Sequence, residues 1–183
     1  IRNEIVYSKK NLEQKLAINF QKRIVIITYH IETKNINKSI KDFEKLLEIL
    51  IILKNISFII TYPNNDPGYK EIKKLIKKYS KLNSNIKVFK SLGRELFINT
   101  LKHSNCIIGN SSSGIIEAPS LGTYTLNIGK RQDGRVKAKS IINTEVNKKN
   151  ILINLDKIFK DFLDINKIKN LNPYEKTRTS DKV

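Results

Sequence analysis

Tryptophan and methionine are absent from this chain of 183 residues, cysteine occurs once and histidine twice. A single cysteine, Cys106, permits no intramolecular disulfide and no multi-cysteine metal centre. Its place inside an apolar run reads as a buried core residue of a cytoplasmic protein. Long hydrophobic runs are missing as well: the longest, Ile49–Leu53, falls far short of the roughly 20 residues of a membrane-crossing helix. The chain opens Ile1-Arg2-Asn3 and holds no methionine, from which we expect a piece of a longer protein.

Acidic residues are few, 17 against 35 basic ones, for a net charge of +18. Such an excess suggests a nucleic-acid partner, but two features point away from one. Arginine supplies only 6 of the 35 basic residues, and the abundance of Lys, Asn and Ile together follows from AT-rich codons. The lysines also run from end to end, without the arginine–aromatic clustering that stacks bases. We therefore expect neither nucleic acid nor membrane as a partner, with nucleic-acid binding kept as an alternative resting on charge alone.

What is present is an alternation. Apolar, β-branched runs at Arg23–Tyr29, Ile56–Tyr62, Ile86–Phe89, Cys106–Ile108 and Tyr124–Ile128 read as strands. Helical periodicity appears over Ser39–Lys54, Tyr69–Tyr79, Arg94–Lys102 and roughly Lys148–Leu163. Pro63-Asn64-Asn65-Asp66-Pro67-Gly68 is a strong turn signal. Strands alternating with helices predict a three-layer α/β domain with a parallel, Rossmann-like sheet. We expect residues 1–22 to be a lead-in segment, 23–163 the domain, and 164–183 a polar tail. Ligands in such sheets lie outside the carboxyl ends of the strands. His30, Asn64, Leu92-Gly93, Ser111–Ser113 and Arg131 all fall at those ends.

One of these ends carries the densest signal. Cys106-Ile-Ile-Gly-Asn-Ser-Ser-Ser-Gly-Ile-Ile-Glu-Ala-Pro119 is a strand running through a Gly/Ser turn into a short helix opened by Gly114. Converging backbone N–H groups and the helix dipole favour an anion there. Glu117, about one turn or roughly 5 Å further on, suits ribose hydroxyls. A plain serine cap is the competing reading, and local chemistry leaves both open. A capping box is disfavoured, because Ser113 would need its partner at position 116, an isoleucine. His30 has its own competing reading as a strand-end residue bonded to backbone, and Asn64 as turn chemistry only. Arg131 and Arg135 are alternatively a solvated turn, and His103 reads as a surface residue.

Four blocks together resemble the hydrolysing UDP-N-acetylglucosamine 2-epimerases of sialic- and legionaminic-acid biosynthesis. They are Thr28-Tyr-His30, Tyr62–Gly68, Ile108–Pro119 and Asn127-Ile-Gly-Lys-Arg-Gln-Asp-Gly-Arg135. The resemblance covers about residues 20–145 and the second half of a family member. It implies the UDP-binding C-terminal domain of a two-domain glycosyltransferase-B arrangement, with its site facing an N-terminal Rossmann-like domain. Ser111 and Ser112 would hold the diphosphate, Glu117 the ribose, and Leu92 the uracil through its backbone. Asn64 and Arg131 would lie in the nucleotide site, and His30, the catalytic candidate, would face sugar and pyrophosphate. The family reaction eliminates UDP and hydrates the resulting glycal. The resemblance implies UDP-sugar and UDP as ligands, a homo-oligomer, and no cofactor or metal. The chain departs from the family at Ile31, where proline is usual after the histidine. It departs again at Glu175-Lys176-Thr177, which replace a Gly-Asp-Gly turn. Two alternatives stand beside this reading: the nucleotide domain of a glycosyltransferase-B sugar transferase, and a non-catalytic UDP-sugar-binding fragment.

Overall fold

Strands form where β-branched residues crowd, because their restricted χ1 rotamers suit a pleated, buried surface. A computed structural model describes residues 5–161 and 172–174. Its strands are β1 (Arg23–Thr28), β2 (Ile56–Thr61), β3 (Ile86–Phe89), β4 (Cys106–Gly109), β5 (Tyr124–Ile128) and β6 (Ile141–Thr144). Its α-helices are α1 (Lys9–Leu16), α2 (Ile36–Ile51), α3 (Tyr69–Leu82), α4 (Gly93–His103), α5 (Ser112–Ser120) and α6 (Lys148–Asp161). The sheet order is β3-β2-β1-β4-β5-β6, and every neighbouring pair is parallel. The order reverses between β1 and β4, the switch point at which doubly wound sheets open a ligand crevice.

The period-2 alternation of the strands sorts the helices into two layers. Val25 and Ile27 of β1 point into a core with α2, α3 and α6, built on Phe43, Leu46, Ile72, Ile76, Ile151 and Leu155. Ile24 and Ile26 point to the opposite face, where α1, α4 and α5 contribute Leu12, Leu16, Ile98, Leu101 and Ala118. Both faces of the central strands are therefore dry. Fully burying side chains of this size contributes roughly 1.5–3 kcal/mol each.

The β1–β4 seam is held by more than its ladder. At the lower end Asn105, 3% exposed, accepts the Ile24 N–H on Oδ1 at 3.0 Å and donates its own N–H to the Ile24 carbonyl at 2.9 Å. At the upper end Gly109 adopts φ 141°. A Cβ there would fall on the Thr28 carbonyl, 2.6 Å from its carbon. Only glycine fits so close an approach. Gly114 plays a second part: a Cβ on it would lie 2.7 Å from the Thr125 methyl. Its carbonyl accepts the Thr125 hydroxyl at 2.6 Å, which seats α5 on the sheet.

The structure departs from the sequence reading at four places. Ser140–Asn143, given no element from sequence, lies largely in a sixth strand: β6 pairs Asn143 with Asn127, whose side-chain amides bond at 2.9 Å. The helix after the Gly/Ser turn opens at Ser112 rather than Gly114, and runs through Pro119. His103 is half-buried rather than fully exposed, and its Nε2 lies 2.8 Å from the Tyr7 carbonyl. Asn99 grips the same segment through Tyr7 N–H and the Ile5 carbonyl. Finally Ile31, standing in place of the expected proline, is 4% exposed and packs on Gly68, where a Cβ would meet its Cδ1 at 2.8 Å. Burial anchors that loop instead of a pyrrolidine ring. The altered tail motif, Glu175–Thr177, lies outside the described residues.

These contacts give an ordering of stabilities. Gly109→Ala should lose roughly 3 kcal/mol or more, since both the positive φ and the backbone clash oppose it. Gly114→Ala meets a side-chain methyl and should lose about 1–3 kcal/mol. Urea denaturation followed by circular dichroism measures both; a Gly109→Ala variant as stable as the parent would refute the seam as described.

Candidate functional site

The Gly/Ser turn forms a short, well-defined helix entry. Ser111 is the N-cap of α5, extended at φ −75° and ψ 146°, and its Oγ accepts the Ser113 N–H at 3.4 Å. Ser112, Ser113 and Gly114 form the first turn, with the Gly114 N–H turned to the Ser111 carbonyl at 3.2 Å. Ser111 thus partners the Ser113 and Gly114 N–H groups, and the helix dipole concentrates positive potential at this end. Glycine falls at the third helical position, so no capping box forms. Glu117 is half-buried and follows Ser112 by five residues, which puts it about 7.5 Å along the axis rather than one turn.

The loop after β5 closes over this turn. Arg131 Nη1 donates to the Asn110 carbonyl at 3.0 Å, and Gln132 Nε2 donates to the same oxygen at 2.7 Å. That carbonyl belongs to the peptide that enters the α5 cap, so the guanidinium is fixed beside the helix N-terminus. On the other side of Asn110 lies His30. Its N–H donates to Asn110 Oδ1 at 2.7 Å and its carbonyl accepts Asn110 Nδ2 at 2.8 Å. Burial lowers the His30 pKa below its ordinary value, the Arg131 charge lowers it further, and Asp66 opposes both. The surroundings therefore favour the neutral ring, and its buried Nδ1 has no hydrogen-bond partner among the described residues.

His30, Ser111, Ser112 and Arg131 are thus brought together at the β1–β4 switch point. Asn64 is exposed on the turn after β2; Asp66 of the same turn is close enough to act on His30. Leu92 is buried as the N-cap of α4. It lies at the end of β3, three strand positions from β4 or about 14 Å, but on the same face as α5. Arg135 is exposed. Two residues that sequence reasoning passed over are central: Asn110, 0% exposed, and Gln132, 2% exposed. The signal for each was a polar residue embedded in a motif whose neighbours drew the attention. Beside the site, a cavity of about 480 Å³ opens between α2 and the loops after β5 and β6. Glu32, Asp42 and Glu145 line it together with Lys38, Lys45 and Lys130, so it has no net charge to draw a diphosphate.

The family model described as UDP-N-acetylglucosamine 2-epimerase matches residues 2–183. The chain belongs to that family. It is 38% identical over 148 residues to the GDP/UDP-N,N'-diacetylbacillosamine 2-epimerase (hydrolyzing) of Campylobacter jejuni, covering 80% of this chain and 38% of that protein. This epimerase-family chain therefore spans less than half the length of the curated relatives it matches. Among solved structures, the UDP co-structure of MnaA from S. aureus superposes with a TM-score of 0.67 at 20% identity, over 93% of this chain and 44% of that one. The C-terminal domain of a group 1 glycosyl transferase from Francisella tularensis matches at 0.58 and 15% identity, over 93% and 91%. The fold is that of one domain of the glycosyltransferase-B arrangement.

The histidines set a pH dependence of stability. His103 is also lowered, by burial and then by Lys102 and Lys9. An unfolded histidine titrates near about 6.5. Between the lowered native values and 6.5 the unfolded chain binds more protons, so stability falls as pH drops through that window and is full above it. Urea midpoints at pH 7.5, 6.5 and 5.5 should decline in that order, and the slope should shrink in His30→Gln. Equal midpoints at the three pH values would contradict the lowering of both half-buried histidines.

Proposed function

We propose that this epimerase-family chain is the UDP-binding half of a hydrolysing UDP-N-acetylglucosamine, or UDP-diacetamido-sugar, 2-epimerase. The observation that carries the reading is the α5 N-terminus at the switch point, with Arg131 tied beside it by its bond to Asn110. Backbone N–H groups, the Ser111 and Ser112 hydroxyls and one guanidinium converge where a diphosphate would lie. Glu117 takes the ribose hydroxyls. The uracil reaches toward the start of α4 and meets the Leu92 backbone. Asn64 contributes from the turn after β2, and His30 faces the sugar–pyrophosphate linkage. The names of the relatives support this: one is a hydrolysing 2-epimerase, and a structure of the same fold holds UDP.

In this reaction the C1–O bond breaks, UDP leaves with the bonding electrons, and the C2 proton goes to a base. Water then adds at C1 of the glycal while C2 regains a proton on the opposite face. Charge grows on the departing diphosphate, which is where preorganised donors lower the barrier most. A neutral His30 hydrogen-bonds there without adding a competing charge. The proton transfers at C2 need acid/base groups, which we assign to an N-terminal Rossmann-like domain of the full-length protein. In this reading the protein needs no cofactor, works in the cytoplasm and assembles as a homo-oligomer. Residues 23–163 form the nucleotide domain, 1–22 lead in from the other domain, and 164–183 are a tail. A glycosyltransferase-B sugar transferase is the second reading, favoured by the near-complete match to the Francisella tularensis domain.

Calorimetry separates these ideas. The chain should bind UDP more tightly than UMP or uridine; no preference for the diphosphate would sink the anion site. Glu117→Ala should weaken UDP roughly tenfold, as expected for loss of hydrogen bonds to a charged group, while changing pyrophosphate less than about twofold. Equal losses for both ligands would remove Glu117 from the ribose. The 183-residue chain should release no UDP from UDP-N-acetylglucosamine, and turnover by it would overturn the division between domains.

A further inference from the structure

Asn110 has every polar group committed. Its N–H donates to the Thr28 carbonyl at 3.2 Å, its side-chain amide bonds both backbone groups of His30, and its carbonyl accepts from Arg131 and Gln132. One fully buried residue therefore joins three segments: the exit of β1, the entrance of α5 and the loop after β5. These bonds hold the His30 backbone, and among the described residues the buried Nδ1 of its ring has no hydrogen-bond partner. The charged groups that act on the ring are Arg131 from the loop after β5 and Asp66 from the turn after β2. Of these, Arg131 is itself held by the Asn110 carbonyl.

The molecule contains its own comparison. Asn105 clasps β1 at the opposite end of the same strand, by the same kind of reciprocal bonds and at nearly equal burial. Asn105 bonds the seam and, through its carbonyl, the Tyr124 N–H at the start of β5, at the end away from the site, whereas Asn110 touches the seam and the site. We propose that Asn110 is the positioning residue of this site, holding His30, the α5 turn and Arg131 in one register. The group facing the sugar and the groups facing the diphosphate then move as one body. The idea rests on the nucleotide-site reading above for its ligand, though not for its effect on His30.

Asn110→Ala and Asn105→Ala test it in the 183-residue chain. Both should lower the urea midpoint. Only Asn110→Ala should alter the site: the His30 imidazole, followed by NMR, should titrate within about 0.3 of the ordinary value near 6.5 instead of below it. UDP affinity should fall about tenfold in Asn110→Ala and less than twofold in Asn105→Ala. Should Asn110→Ala fail to fold, Asn110→Ser carries the same readouts, because a hydroxyl cannot span both His30 backbone groups. Loss of stability alone, with His30 titration and UDP affinity unmoved, would reduce Asn110 to a second seam residue and overturn the proposal. Movement of only one readout in a chain that binds UDP would overturn the single-body claim. If the parent chain binds no UDP, the nucleotide reading fails separately, and the His30 titration still decides the role of Asn110.

Discussion

Everything at the rim depends on how closely the end of β4 approaches the end of β1. Gly109 lies against the Thr28 carbonyl with no room for a Cβ. That approach brings the Asn110 N–H within reach of the same carbonyl oxygen. Asn110 then faces His30 and hands the chain to the Ser111 cap. A larger residue at 109 would push β4 outward, and the amide of Asn110 could no longer span the two His30 backbone groups. The entry to α5 and the clasp of Asn110 on the His30 backbone thus depend on one missing methyl group.

The same contact explains which parts of the fold were legible in the sequence. Isoleucine-rich runs such as Arg23–Thr28 and Ile56–Thr61 announce buried strands because both faces of a central parallel strand are apolar. The helices announce themselves through their periodic inner faces. β6 was silent because it is a short edge strand whose residues are mostly only half-buried, with asparagine and threonine at its end. Ser111 as the true cap was obscured by two further serines, any of which is a good N-cap by residue type. Asn110 and Gln132 were illegible for a different reason. A buried amide is defined by its partners, and theirs lie 80 and 22 residues away in sequence. The contact of His103 was hidden likewise, since its partner Tyr7 lies 96 residues upstream.

Charge illustrates the limits of composition. The excess of lysine is spread over exposed faces, where pairs such as Lys78–Glu44 and Lys160–Asp156 are solvated and contribute little. Lys73 lies over the Tyr62 and Tyr69 rings at 5.5 and 5.6 Å, so part of the excess packs on aromatic surface. The positive potential at the α5 entry has another origin. It comes from oriented peptide groups and from a single guanidinium fixed by a backbone carbonyl. A net charge of +18 therefore says little about the anion this rim would take, and the geometry at three serines says more.

The lowered pKa of His30 ties these threads together. A protonated ring would put a second cation beside the exposed Arg131, with Asp66 as the opposing carboxylate. Such a pair would hold a diphosphate tightly before and after bond cleavage alike. Uniform binding of that kind raises affinity without lowering the barrier, and it slows product release. A neutral ring held by backbone bonds offers direction instead of charge: it can orient a hydrogen bond toward an oxygen whose charge grows only as the leaving group departs. Arg131 and the helix N-terminus already supply the constant part of the attraction. In the proposed reading the rim therefore separates two tasks, holding the diphosphate through fixed positive potential and responding to its change in charge through His30. That separation requires the two parts to keep their spacing, and at this rim the spacing is set by the side chain and carbonyl of Asn110.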